Sequence, residues 1–105
     1  MPESFDRGAL TEAVFYILLS LHRPMHGYAI MQNIESLTGG RVVLGPGTLY
    51  GAINALVQKG WIAAVPSEKD SRKKEYVITE AGKVAFLMEM KRLQELLDNG
   101  KGVVV

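Results

Sequence analysis

The chain of 105 residues has the length of one domain with a single modest core. Apolar residues make up 48% and charged residues 22%, values typical of a globular chain and far from the signature of disorder. Twelve Lys and Arg against eleven Asp and Glu leave a net charge of +1, which excludes a global attraction to polyanions, so any basic surface must be local.

The chain contains no cysteine, which excludes a disulfide framework, a thiolate zinc site and a thiol nucleophile. Its first eight residues, MPESFDRG, place acids where a signal peptide carries positive charge. The longest apolar run, residues 13–19, is too short to span a bilayer. We therefore expect a cytoplasmic protein that has no membrane partner.

The first third of the chain predicts two helices. Residues 9–21, ALTEAVFYILLSL, repeat apolar side chains at helical spacing, and Pro24 stops this helix because a proline disfavours helical geometry in the residue before it. A second helix is predicted to begin near His26 and to end at Gly39 and Gly40.

A third helix is predicted between Pro46, which suits a first helical turn, and Gly60, which suits a helix end. Helical spacing assigns to its core face Leu49, Ile53, Leu56 and Val57. The opposite side then carries Gly47, Gly51, Asn54 and Gln58, flanked by Thr48 and Tyr50. Because no charged residue lies between Arg41 and Lys59, this helix presents a neutral surface.

Two short strands, residues 61–65 and 75–78, are predicted to form a hairpin around the polar segment PSEKDSRKK. Thr79 is a suitable N-cap for a fourth helix that runs from Glu80 to about Asn99 and is closed by Gly100. The last residues, KGVVV, are expected to be frayed.

The fourth helix carries two apolar stripes. One is heptad-like and consists of Phe86, Met90, Leu93 and Leu97; the second consists of Ala81, Val84 and Met88. One stripe suffices to pack on the core of the same chain, so the second predicts a partner surface. The alternative is a monomer with one unusually apolar helix.

Three helices followed by a two-stranded ribbon predict a mainly α (α+β) winged helix-turn-helix with an added C-terminal dimerisation helix. In that plan the third helix enters the major groove of DNA and the ribbon forms the wing. Residues 1–79 would form the DNA-binding unit and residues 80–105 the dimerisation helix and tail, within one compact domain.

Three strings in the chain, HGYAI, GPGTLYGAINALVQKGWI and RKKEYVITEAG, resemble the PadR family of bacterial transcriptional regulators, over roughly His26 to Gly82. The chain is similar to the short subfamily with a single C-terminal helix, although Gly51 stands where many members have proline. The resemblance implies a homodimeric repressor that binds a twofold operator in double-stranded DNA and is released by a small hydrophobic effector. It implies neither enzymatic activity nor a cofactor.

We expect the DNA contacts to combine hydroxyl and amide groups on the helices with charge on the wing. The candidate DNA-binding residues are Tyr28, Thr48, Tyr50, Asn54, Lys69, Arg72 and Lys73. Lys74 is left out because alternation along the strand turns it to the other face. Without the resemblance, ordinary solvated polar surface would explain the same side chains.

In the family, the fourth helix pairs with the first helix of a partner chain. The candidate dimer-interface residues are Leu10, Val14, Phe86, Met90, Leu93 and Leu97, and the candidate effector-binding residues are Phe5, Phe15, Tyr16 and Met88. Packing in the chain's own core is the alternative role for each of them.

No metal site is predicted. His22 and His26 have the spacing of two ligands on one helix face, but Pro24 interrupts that face and no Glu or Cys completes the set. Two other functions stay open: a winged helix that binds protein, which the basic string SRKK disfavours, and a small-molecule enzyme, for which no acid, base and nucleophile converge in the sequence.

Overall fold

The computed structural model describes residues 9–67 and 73–104, and it confirms a mainly helical winged helix-turn-helix. Its elements in chain order are α1 (Glu12–Ser20), α2 (Gly27–Leu37), α3 (Pro46–Lys59), β1 (Ile62–Pro66), β2 (Lys74–Ile78) and α4 (Glu80–Lys101). The strands pair antiparallel, from Ile62 opposite Ile78 to Pro66 opposite Lys74, and form the wing. None of the helices in this described part is long and apolar enough to cross a membrane.

Local signals set the helix ends. The hydroxyl of Thr11 accepts the amide of Val14 at the start of α1, and the hydroxyl of Thr79 accepts the amide of Gly82 at the start of α4, both at 3.1 Å. These bonds satisfy amides that the first helical turn leaves without a partner. At the end of α3, Gly60 has a φ of 79°, in the left-handed region that favours glycine.

The first three helices share one apolar core, which the wing and α4 extend. Its central members have no exposed surface: Ile17, Leu18, Leu21, Ile30, Ile34, Leu49 and Ile53. Leu56, Ile62, Ile78 and Phe86 complete it from α3, the wing and α4. Burial of these side chains supplies the main stabilisation of the fold.

Two close backbone contacts fix the wing. Met25, in the turn before α2, exchanges two hydrogen bonds with Tyr76 of β2, at 3.1 and 2.8 Å. On the other side, a Cβ atom at Gly82 would lie 2.7 Å from Ile78 Cγ1 and closer still to the Trp61 carbonyl oxygen, so only glycine lets α4 pass here. The wing is therefore held between the start of α2 and the start of α4.

Several predicted boundaries change. Helix α1 begins at Glu12 rather than at residue 9, because Thr11 is its N-cap. Gly100 does not close α4, which continues to Lys101 with Gly102 as its C-cap. Val57 is 40% exposed, so the core face of α3 is narrower than the predicted stripe and ends with Leu56.

Candidate nucleic-acid interface

Helix α3 turns its neutral side to the solvent. Thr48, Tyr50 and Asn54 are exposed there, while Leu49, Ile53 and Leu56 face the core. The N-cap of α3 is Gly45, which has no side chain to bond the first amides of the helix. These amides and the positive end of the helix dipole are therefore available to an anion in the solvent.

The neutral side of α3 also carries two glycines that packing inside the chain does not require. A Cβ atom added at Gly47 or Gly51 would meet no atom within 4 Å. Glycine in a helix interior costs about 0.5–1 kcal/mol relative to alanine. No contact among the described residues accounts for Gly51, and the helix surface around it is open to the approach of another molecule.

Tyr50 connects α3 to the beginning of α2. Its ring lies over Gly27, where a Cβ atom would stand 2.6 Å from Tyr50 Cζ and closer still to the hydroxyl oxygen. Gly27 is buried at the first position of α2, whereas Tyr50 remains 42% exposed. The glycine of the string HGY therefore provides the space that the tyrosine ring occupies.

A cavity of about 410 Å³ lies where α2, α3 and the wing meet. It is lined by His26, Gly27, Tyr28, Tyr50, Lys73, Lys74 and Tyr76, none of which is acidic. Two lysines, three tyrosines and the first turn of α2 thus line one concave surface. This combination of donors and positive charge suits a phosphate group.

The cavity joins three of the predicted DNA-binding residues: Tyr28, Tyr50 and Lys73. Thr48 and Asn54 are exposed on α3 but do not line it. Lys69 and Arg72 lie outside the described residues.

The sequence did not predict four residues of the cavity wall: His26, Gly27, Lys74 and Tyr76. Lys74 lines the same cavity as Lys73, although strand alternation predicts opposite faces, because Lys73 precedes β2 and the two-residue period of a strand does not apply to that pair. Tyr76 comes to the cavity through its bonds with Met25, which no local pattern reveals.

The two histidines have separate structural roles. His26 is the N-cap of α2, and its Nδ1 accepts the amide of Ala29 at 3.3 Å. The ring of His22 contacts Phe86 edge-on at 4.9 Å between centroids, and its Nδ1 lies 3.0 Å from the Leu18 carbonyl oxygen. Among the described residues, no group of three or more His, Cys, Asp or Glu could hold a metal ion.

A second cavity, of about 350 Å³, lies between the start of α1 and the middle of α4. It is lined by Leu10, Glu12, Phe15, Tyr16, Glu89, Arg92 and Leu93. The structure thus brings together Phe15 and Tyr16 of the predicted effector set, whose rings meet edge-on at 5.8 Å. Met88 is 63% exposed and does not line this cavity, and Phe5 lies outside the described residues.

Both carboxylates of this cavity are paired with arginine. Arg92 donates two hydrogen bonds to Glu89, at 2.8 and 2.7 Å, and these bonds, with a further one from the Leu10 amide, hold the pKa of Glu89 below its ordinary value although burial opposes this. Arg41 likewise donates to Glu12 and lowers its pKa. Neither carboxylate is left without a partner.

The residues predicted for the dimer interface fall into two groups. Phe86 is 8% exposed and stacks on Phe15 at 4.7 Å between ring centroids, so it packs in the chain's own core. Leu10 and Val14 are half-buried against the same core. The three remaining candidates lie further along α4 and are exposed: Met90, Leu93 and Leu97.

Comparisons with known proteins agree with this architecture. The family model of the transcriptional regulator PadR-like family matches residues 15–87, more than half of the chain. An uncharacterized 37.1 kDa protein in transposon TN4556 of Streptomyces fradiae is 43% identical over 60 residues, which are 57% of this chain. The chain spans only 16% of the length of that relative.

Two solved structures illustrate the similarity in fold. A putative transcriptional regulator from Thermoplasma acidophilum is 30% identical with a TM-score of 0.66, over 89% of this chain and 93% of that one. A transcriptional regulator from Clostridium thermocellum is 23% identical with a TM-score of 0.73, over 90% and 93%. The chain described here belongs to the PadR-like family of transcriptional regulators.

Proposed function

We propose that the chain is a transcriptional repressor that binds a twofold operator as a homodimer, with one α3 and one wing at each half-site. The observation that carries the DNA contact is the cavity in which Tyr28, Tyr50 and Lys73 meet around the first turn of α2. A DNA backbone phosphate is the anion that such a surface meets beside a helix in the major groove.

The two parts of the interface have different tasks in this proposal. The neutral side of α3, with Gly51 and no long side chain around it, approaches the DNA closely, and Asn54 donates and accepts hydrogen bonds at a base edge, as asparagine does with adenine. The hydroxyl groups of Thr48 and Tyr50 donate hydrogen bonds to phosphates. Positive charge comes from the wing, at Lys73 and at Lys69 and Arg72 beyond the described residues.

The salt dependence of DNA binding tests this division. If each chain neutralises two or three phosphates, the slope of log affinity against log salt is about −4 to −5 for a dimer. Titration of the protein into DNA from upstream of its own gene, at several salt concentrations, measures this slope. A flat response, or no binding at all, would contradict the proposal.

The homodimer is supported by the way α4 leaves the body of the chain. Its buried residues are Gly82, Phe86 and Glu89, at helical spacings of four and three. Continuing that spacing leads to Leu93 and Leu96, which are 40% and 54% exposed. The face that packs on the core therefore extends past the body and remains apolar where no described residue of the same chain covers it, as expected of a surface that binds a second copy.

Leu93→Asp tests the dimer, with Asn99→Asp on the polar side of α4 as the control. The first variant places a charge in the apolar surface and is expected to be monomeric and to lose operator binding, because a single half-site contributes half of the phosphate contacts. The control adds the same charge and should stay dimeric. A monodisperse dimer of Leu93→Asp in light scattering would refute this surface.

We further propose that the 350 Å³ cavity receives a small hydrophobic effector. Phe15 and Tyr16 offer ring faces and edges, and Leu10 and Leu93 close the apolar wall. Because this wall joins α1 to α4, an occupant would change the arrangement of the two helices. Thermal shifts measured with a panel of aromatic compounds, on the unmodified chain and on Phe15→Ala, test the site; a ligand whose shift survives Phe15→Ala binds elsewhere.

A further inference from the structure

Glu89 is a buried carboxylate at the point where α4 leaves the body of the chain. Its side chain is 4% exposed, and it is the last buried residue of the helix. It accepts the amide of Leu10 at 3.2 Å, across 79 positions of sequence, in addition to the two bonds from Arg92. Since Leu10 precedes the N-cap of α1, helix formation supplies no acceptor for this amide.

Another contact between α1 and α4 is less directional. Phe15 stacks on Phe86 with an interplanar angle of 23°, and apolar surfaces of this kind allow small rotations without loss of burial. A charge-assisted hydrogen bond, by contrast, weakens as its distance and angle change. Among the bonds between described residues, the bond from Leu10 to Glu89 is the one that connects the start of α1 with α4.

We propose that Glu89 is a positioning residue that fixes the angle at which α4 leaves the DNA-binding unit, and so sets the distance between the two α3 helices of the dimer. The proposal rests on the homodimer proposed above. In a twofold dimer each protomer repeats the angle, so a change in the angle displaces both α3 helices. The half-site spacing that the protein accepts then depends on a residue that touches no DNA.

Because α4 is long, a small change in its angle at Glu89 produces a large displacement of its far end. The twelve residue steps from Glu89 to Lys101 extend about 18 Å at a rise of about 1.5 Å per residue. A tilt of about 10° at Glu89 moves the far end of the helix by about 3 Å, close to the roughly 3.4 Å that separates successive base pairs. Because both protomers repeat the tilt, a small rotation corresponds to a change of about one to two base pairs in preferred spacing.

The absence of cysteine allows a direct test, because Gln58→Cys on the exposed side of α3 gives the chain a single thiol for a spin label. Double electron–electron resonance on the full-length dimer then measures the distance between the two α3 helices. The compared chains carry Glu89, Glu89→Gln, Glu89→Ala and Glu89→Leu. Glutamine keeps an acceptor for the Leu10 amide and serves as the conservative control, and alanine serves if leucine prevents folding.

We expect a narrow distance distribution for the unmodified chain and for Glu89→Gln. For Glu89→Ala and Glu89→Leu we expect a distribution that is shifted or broadened by about 3 Å or more, in dimers of unchanged mass. Distributions that coincide in all four chains would overturn the role of Glu89. No distance between labels in the unmodified chain would instead overturn the homodimer itself, so the two failures are distinguishable.

Discussion

The contact between Gly27 and Tyr50 gives the sharpest prediction for the interface. In Gly27→Ala the new methyl group would lie 2.6 Å from Tyr50 Cζ, so the ring has to move by about 1 Å to reach ordinary van der Waals separation. Tyr50 is 42% exposed and can swing outward without opening the core. Overpacking of this kind costs about 1–2 kcal/mol, and the better helix propensity of alanine offsets up to about 1 kcal/mol of that.

DNA binding should respond more strongly than stability. Displacement of the ring takes the Tyr50 hydroxyl away from the cavity wall, and the loss of one hydrogen bond to phosphate, about 1–1.5 kcal/mol, lowers affinity about tenfold. Fluorescence anisotropy with a labelled operator measures the affinity. Urea denaturation measures the free energy of unfolding.

A double-mutant cycle with Tyr50→Ala isolates the contact. Once the ring is removed, Gly27→Ala should cost nothing in unfolding free energy and change affinity no further, which corresponds to a coupling of about 1–2 kcal/mol. If Gly27→Ala costs as much with alanine at position 50 as with tyrosine, the two residues do not interact as the structure indicates, and the reasoning is refuted.

Three further predictions concern other parts of the chain. Gly51→Ala should raise the free energy of unfolding by about 0.5–1 kcal/mol yet weaken DNA binding. Gly100 is an equally open glycine of α4, and Gly100→Ala should leave DNA binding unchanged. Equal DNA affinities of the two variants would contradict the close approach of α3 to DNA. Lys73→Ala should reduce the magnitude of the slope of log affinity against log salt by about 2 for a dimer, and Lys101→Ala should leave this slope unaltered. Equal slopes for the two variants would show that Lys73 does not contact DNA. Because its bonds in the folded chain lower the pKa of Glu89, the stability that this carboxylate adds is present above the ordinary glutamate pKa and is lost as pH falls from there through the lowered pKa of the folded chain. The unfolding free energy lost in Glu89→Gln, about 1–2 kcal/mol at pH 7, should therefore shrink as pH falls below the ordinary glutamate pKa, and a difference that is constant with pH would contradict this role.

The parts of the fold that local chemistry controls were predictable from the sequence. Thr79, Pro46 and Gly60 mark helix ends through their own side chains or backbone freedom, and the structure has helix ends at all three. The three helices and the ribbon follow from periodicity over short windows. The order of these elements was enough to indicate the winged helix-turn-helix.

Helical spacing did not show which neighbouring residue of α4 faces the body. The sequence places Met90 with Phe86 in one heptad-like stripe, as candidates for the dimer interface, whereas in the structure Glu89 is buried together with Phe86 and Met90 is 46% exposed. A carboxylate is predicted to face solvent unless its partner is known, and one of its partners, the Leu10 amide, is 79 positions away. A hydrogen bond between residues that are far apart in the chain leaves no periodic pattern in the sequence.

The candidate interface was predictable in part. Tyr28, Tyr50 and Lys73 were chosen for their chemistry and a family resemblance, and the structure places them around one cavity. Lys74 and Tyr76 were missed because the cavity depends on the pairing of Met25 with β2. That pairing is a tertiary contact, and strand alternation alone could not reveal it.

Hydroxyl-radical footprinting on the operator tests the arrangement of two copies on DNA directly. We expect two protected patches related by a twofold axis and separated by about one helical turn, about 10 base pairs, or a multiple of it. Leu93→Asp should abolish both patches together. A single patch without symmetry, or protection by Leu93→Asp equal to that of the unmodified chain, would contradict the account.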